Sequence, residues 1–308
     1  MLELAVIVLR LLQYGTASIL MGSALFLVYA FPSVGAERES VHSWARPLLA
    51  FSALGLTVST LLGLVAQTGV MAGGLAEGLR AESLIAVISG MSLGKAAVAR
   101  ALLCGVAMGL LLAAKPGRML WSATASLGAL ATATFAWMGH AAATEGDGRL
   151  LHLGADALHA LAAAGWVGAL VCFVFLLRHR THSAADLQAI LQALQRFSGM
   201  GIAFVAILAL TGLANGWFLI GPDLAAAAET PYGQILALKL AMFSAMLALA
   251  ALHRQRSVPR LGRVLRQGYP TSDDALASLR RSVTVEAVLG FGVLAVVAWL
   301  GTLPHPTG

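Results

Sequence analysis

Eight separate apolar windows, near residues 4–30, 47–70, 94–114, 119–139, 152–178, 198–220, 234–253 and 282–301, constrain this chain more than any motif in it. Each is about the 20 residues that an α-helix needs to cross about 30 Å of hydrocarbon. They are continuously apolar, whereas strands of a membrane barrel alternate over about ten residues, so the pattern predicts an all-α polytopic membrane protein with eight spans. Composition agrees: 59% of residues are hydrophobic and 11% are charged, against about 25% charged in soluble domains. A soluble globular domain and a disordered chain are both excluded. The first window is longer than the apolar region of a signal peptide, and Glu3 stands where a basic flank belongs, so it is read as a retained span. Cys104 and Cys172 both lie inside apolar windows and give no disulfide framework.

Lys and Arg set the expected orientation, because loops on the cytoplasmic side keep the excess. The odd-numbered loops hold fourteen of the twenty basic residues, seven of them between Arg254 and Arg281. The even-numbered loops hold Arg80, Lys95 and Arg149, while Arg10, Arg100 and Lys239 fall inside spans. Both termini are therefore expected on the outer side, periplasmic if the membrane is a bacterial inner membrane. The formal charge of +6 is explained by topology and by contact of the 254–281 loop with anionic lipid, not by nucleic acid.

The two halves share residues at fixed offsets. Gly22, Phe51, Ser52 and Gly55 recur 146 positions later as Gly168, Phe197, Ser198 and Gly201. Gly94 and Arg100 recur as Gly233 and Lys239, and Gly128, Trp137 and Gly139 recur as Gly290, Trp299 and Gly301. Four spans per half give both halves the same orientation. The expectation is two parallel four-helix repeats, 1–140 and 141–308, within one integral membrane domain.

Residues that break the repeat are candidates for specialised work. Asp156 stands opposite Arg10, His159 opposite Gln13, His152 opposite Val6, and His140 opposite Thr302. Positions 152, 156 and 159 share one helical face, and Trp166 continues the stripe. Imidazole and carboxylate at a membrane entrance suit a borderline divalent ion, with copper(II) first in the affinity order. His152 and His159 lie about 10 Å apart along a helix axis, so they form two stations, or one ligand with a supporting partner, rather than a chelate. His140 can complete an outer station. The competing reading makes His140 and His152 interfacial polar residues and pairs Asp156 with a base.

Met138, Met71 and Met91 add soft thioethers at the outer side. Asn215 reads as interhelical hydrogen-bonding, and Glu286 as a partner for Arg280 or Arg281. His42, His179, His182 and His253 read as solvated loop positions. The chain has no HExxH motif, no phosphate-binding Gly-rich loop and no nucleotide domain, so it offers no catalytic constellation and an enzyme is not expected.

These residues bear a family resemblance. Gly139-His140-Ala141-Ala142-Ala143, the block from His152 through Asp156 and His159 to Trp166 and Gly168, Arg196-Phe197-Ser198, Thr211-Gly212-x-x-Asn215, Tyr232-Gly233 with Lys239-Leu240, and Leu279-Arg280-Arg281-Ser282-Val283 with Glu286 resemble the CopD/PcoD copper-resistance membrane proteins. The chain departs from the pattern at Gly168-Ala169, where a double glycine is common, and near Val98, where a tryptophan is expected. The resemblance implies a copper-handling protein that moves copper across the bacterial inner membrane in company with a periplasmic CopC-type copper-binding protein, without setting the direction; movement from periplasm toward cytoplasm is the expectation. Two other readings stay open: a haem-binding electron-transfer or metal-reductase protein, and a subunit that only docks a periplasmic copper carrier.

Overall fold

The computed structural model describes residues 2–30, 37–178, 184–252, 254–255, 259, 262, 272–304 and 306. Most of the basic 254–281 stretch lies outside the described residues, as do the side chains of His42, His140, His179, His182 and His253. Eight helices are long and apolar enough to cross a membrane: Leu2–Tyr29, Ser43–Met71, Ser92–Ala113, Arg118–Trp137, Arg149–Arg178, Gln188–Ile220, Pro231–Leu252 and Leu276–Leu300. They are called the first to eighth spans below. Every regular element among the described residues is helical, as the need to satisfy each backbone N–H and C=O inside the hydrocarbon requires.

Two features were not expected from the windows. The first span widens into a π-helix over Ser18–Ser23, and a short apolar helix, Ala81–Gly90, lies between the second and third spans. Several helices also continue beyond the hydrocarbon: that of the sixth span starts at Ala184 and that of the eighth at Ser272.

In the first half each span packs on its neighbour in sequence, and the fourth closes on the first. In the second half the fifth span packs on the sixth and the eighth, and the seventh on the eighth, but the sixth and seventh make no comparable contact. That half is left open on one side. The halves meet where the first span packs on the fifth and eighth, and the fourth on the fifth.

Glycine sets how closely the central spans approach. Gly22 and Gly168, matched in sequence, face each other: a Cβ on Gly168 would lie 2.5 Å from the Gly22 Cα and would collide with the Ser18 carbonyl. Gly128 of the fourth span lies against Met21 of the first, and its match Gly290 of the eighth lies against Val167 of the fifth. Met21 and Val167 are themselves 146 positions apart.

Arg46 and Arg196 do more than add charge to the loops. Arg46 donates to the carbonyls of Leu111 and Leu112, the last turn of the third span. Arg196 donates to Tyr29 and Ala30 at the end of the first. Both satisfy carbonyls that a helix C-terminus leaves without partners, and both place positive charge at the negative end of the dipole.

Candidate functional site

The expected column on the fifth span is present, and it faces a matching column on the sixth. His159 Nδ1 lies 2.9 Å from Thr211 Oγ1. Asp156 Oδ1 accepts from Asn215 Nδ2 at 3.4 Å. The His152 ring stacks on Phe218, with centroids 4.5 Å apart. Positions 211, 215 and 218 recur at helical spacing, as 152, 156 and 159 do, so two antiparallel helices meet rung by rung.

Each rung does something different. Thr211 donates its hydroxyl hydrogen to the Ile207 carbonyl, so its lone pairs face His159 and Nδ1 is the donor between them. In that tautomer Nε2 carries the lone pair, and the ring also takes a backbone hydrogen bond at Leu208. Asn215 Oδ1 is buried and unpartnered, while Asp156 has one long bond to the same side chain. Gly139, just past the fourth span, lies beside Asp156, where a Cβ would sit at an ordinary contact distance of 3.6 Å from Oδ2. Lys239 of the seventh span interacts electrostatically with Asp156. Among the described residues the two do not form an ion pair within contact distance.

His152 is fully buried, and its Nδ1 lies 2.7 Å from Thr144 Oγ1. Gly148 makes room for the phenyl ring stacked on it, because a Cβ there would lie 2.8 Å from Phe218. His152 is thus enclosed by a loop and an aromatic ring, whereas His159 and Asp156 are half-buried. Among the described residues no three His, Cys, Asp or Glu side chains come together as a metal cluster. The His140 side chain lies outside the described residues.

The first half holds a different polar cluster at the matching place. Arg100 is completely buried. It donates to Gln13 Oε1 at 3.0 Å, to Thr134 Oγ1 at 2.9 Å and to Met138 Sδ at 2.9 Å. Its guanidinium carbon lies 3.8 Å above the Phe135 ring. Met138, expected as a soft metal donor, spends its sulfur on this arginine. Arg10 donates to the Gly301 carbonyl, repeating in the other half the approach of Asp156 to Gly139. Met71 and Met91 are exposed at the second loop.

Sequence reading missed Thr211 and Phe218 as site partners, although the spacing 211, 215, 218 signals the face that meets the fifth span. It also expected Glu286 beside Arg280 or Arg281. The bond observed is from Trp166 Nε1, at 2.9 Å, and Glu286 is fully buried.

Comparison with known proteins bears on what this site handles. Residues 1–150 match the family described as Copper resistance protein D-like, N-terminal domain, and residues 191–300 match the family described as Copper resistance protein D. The chain is 34% identical over 301 residues to Copper resistance protein D of Pseudomonas syringae pv. tomato, covering 96% of each. It is 26% identical to Copper transport protein CutJ of Bacillus subtilis, over 96% of this chain and 52% of that one. Inner membrane protein YebZ of Escherichia coli is 32% identical over 56% of this chain and 57% of its own. No solved structure matches. With near-complete coverage by the Pseudomonas protein and eight spans of the expected kind, this chain belongs to the copper resistance protein D family.

Proposed function

We propose that this multi-pass protein carries copper across the bacterial inner membrane from periplasm to cytoplasm, with His159 and Asp156 as the entry ligands. The observation that carries the reading is the His159 imidazole, set by Thr211, one helical turn from the Asp156 carboxylate, which among the described residues accepts one long hydrogen bond from Asn215. One imidazole and one carboxylate suit copper(II) and leave coordination positions open, which a site built for handover rather than storage needs. The unclosed side between the sixth and seventh spans gives access to half-buried His159, whereas its equivalent Gln13 is buried at 1% exposure. With Arg10 and Arg100 in place, the first half repels a cation at the matching depth. Relatives named for copper resistance and copper transport support the cargo.

In this reading 1–140 and 141–308 are parallel repeats, supported by the contacts of Gly22 with Gly168, of Gly128 and Gly290 with equivalent residues, and of Arg10 with Gly301 against Asp156 with Gly139. His152, His140, Met138, Met71 and Met91 belong to the approach on the outer side. A periplasmic CopC-type protein delivers the metal there. The protein moves copper and is not an enzyme.

Thr211 orients the imidazole without touching the metal. Thr211→Val keeps the shape and removes the acceptor for Nδ1–H, and it should weaken copper affinity about tenfold, as loss of a ligand's supporting hydrogen bond does. Copper titration of the purified variant checks this. Orientation is tested by labelling single cysteines placed within 254–281 in a Cys104→Ser, Cys172→Ser background. Protection from impermeant reagent outside is expected, and labelling from outside reverses the topology. A visible absorption spectrum separates the haem reading, since a Soret band from protein purified without added haem overturns pure copper transport.

A further inference from the structure

At the end of the bundle opposite His152, a cavity of about 740 Å3 opens between the last turn of the fifth span and the first turns of the eighth. Arg178, Arg280 and Arg281 line it together with Ser278, Thr284 and Val285. The three arginines come from two spans more than 100 positions apart in sequence, so the fold, not a local charge run, gathers them. No acidic side chain is among the described lining residues.

Charge bias between loops explains why these residues are basic, but not why arginines from two spans line one concavity. Guanidinium forks match the oxygens of a phosphate, and neighbouring hydroxyls add donors. The wall then continues as an apolar strip. Arg281, Val285 and Val288 follow at i, i+4 and i+7 on one helical face, and the two valines are 46% and 66% exposed. Charge at the membrane boundary with an exposed aliphatic strip running into the hydrocarbon is the shape of a phospholipid: headgroup phosphate on the arginines, acyl chain along the valines. A free phosphate ion would use only the upper part.

We propose that this cavity binds the phosphate headgroup of an anionic phospholipid, one molecule seated between the fifth and eighth spans. Because the fifth span also carries the His159 and Asp156 column and packs on the eighth, a bound lipid ties these two spans together at this end. The proposal does not depend on copper being the cargo.

The full-length protein in zwitterionic detergent is titrated with phosphatidylglycerol, phosphatidylcholine or inorganic phosphate, with native mass spectrometry and thermal unfolding as readouts. Phosphatidylglycerol is expected to be retained and to raise Tm, while phosphatidylcholine and millimolar phosphate do neither. The triple variant Arg178→Gln, Arg280→Gln, Arg281→Gln should bind phosphatidylglycerol at least about tenfold more weakly. Equal retention of the two lipids, or unchanged binding by the triple variant, overturns the site. Stabilisation by phosphate alone, to the same extent as by phosphatidylglycerol, overturns the lipid in favour of a soluble anion. Should the triple variant fail to insert, the wild-type comparison of the two lipids decides on its own, with Arg178→Gln at the exposed helix end as the second variant.

Discussion

Copper accumulation by cells carrying His159→Ala or Asp156→Asn is expected to fall to near the level of cells lacking the protein, at matched amounts in the membrane. His159→Ala removes the nitrogen donor that Thr211 orients. Asp156→Asn keeps size and its contact with Asn215 but deletes the charge that offsets a bound cation beside Lys239. Losing a direct ligand costs more than the 10- to 100-fold typical of losing the group behind one, so both variants should lie well below Thr211→Val. Cys104→Ser and Cys172→Ser are the controls. Both cysteines are buried, and Cys172 points its sulfur at the Ser23 carbonyl, so neither change should lower accumulation by more than about twofold. Accumulation that survives both fifth-span variants would remove this column from the transport path. The protein would then be a docking subunit for a periplasmic carrier, with flux through another protein.

The same residues show where sequence reading succeeds and where it stops. Hydrophobic windows located all eight spans, because hydrocarbon thickness fixes length, although the sixth span begins ten residues before its window, at Gln188. They missed the start of the eighth span's helix at Ser272, since a helix can continue past the bilayer on residues that hydropathy ignores. They also missed Ala81–Gly90, which is too short for a 20-residue window. Helical spacing put His152, Asp156 and His159 on one face, as found, but spacing alone does not say which face of which neighbour meets them. Thr211, Asn215 and Phe218 therefore needed the packed structure. Charge counting assigned Arg46 and Arg196 to a side of the membrane without revealing that they cap the third and first spans. Glu286 was paired with the nearest bases in sequence, whereas a buried carboxylate takes whatever donor the packing presents, here the Trp166 indole.

Arg100 adds a constraint on the asymmetry between the halves. A charge held inside a span costs at least about 2.5–3.5 kcal/mol unless compensated, and this one is compensated by neutral acceptors and a phenyl face, without a carboxylate. One guanidinium nitrogen, Nη2, remains buried and unpartnered. Lys239, at the matching position, instead faces Asp156 and is half-buried. On the proposed function, Asp156 and His159 in place of Arg10 and Gln13 make the second-half cluster the one that accepts a cation, and the contact of Gly22 with Gly168 joins that half to the first.

Those glycine contacts carry the largest expected effect on folding. Gly168→Ala adds a Cβ 2.5 Å from the Gly22 Cα and in collision with the Ser18 carbonyl. Both obstacles are backbone, so no rotamer change relieves them, and the first and fifth spans must separate along their length. Overpacking a core costs about 1–3 kcal/mol when side chains can yield, and here the cost should lie at or above the top of that range. These spans join the halves, so the loss should appear as unfolding or aggregation of the whole chain. Gly22→Ala should behave alike, because its Cβ would lie 2.9 Å from the Gly168 Cα and would collide with the Ala164 carbonyl. Gly290→Ala should be milder, since it meets only the side chains of Val167 and Met246, at 3.3 and 3.5 Å. Gly199→Ala and Gly105→Ala meet nothing within 4 Å, and a helical Gly replaced by Ala gains about 0.5–1 kcal/mol of backbone preference. These two should therefore be neutral or stabilising. The ordering is read from monodisperse yield and Tm in detergent across the five variants. A Gly168→Ala protein that purifies and melts like the wild type would show that the first and fifth spans do not meet at these two residues, and the parallel-repeat arrangement would lose its central contact.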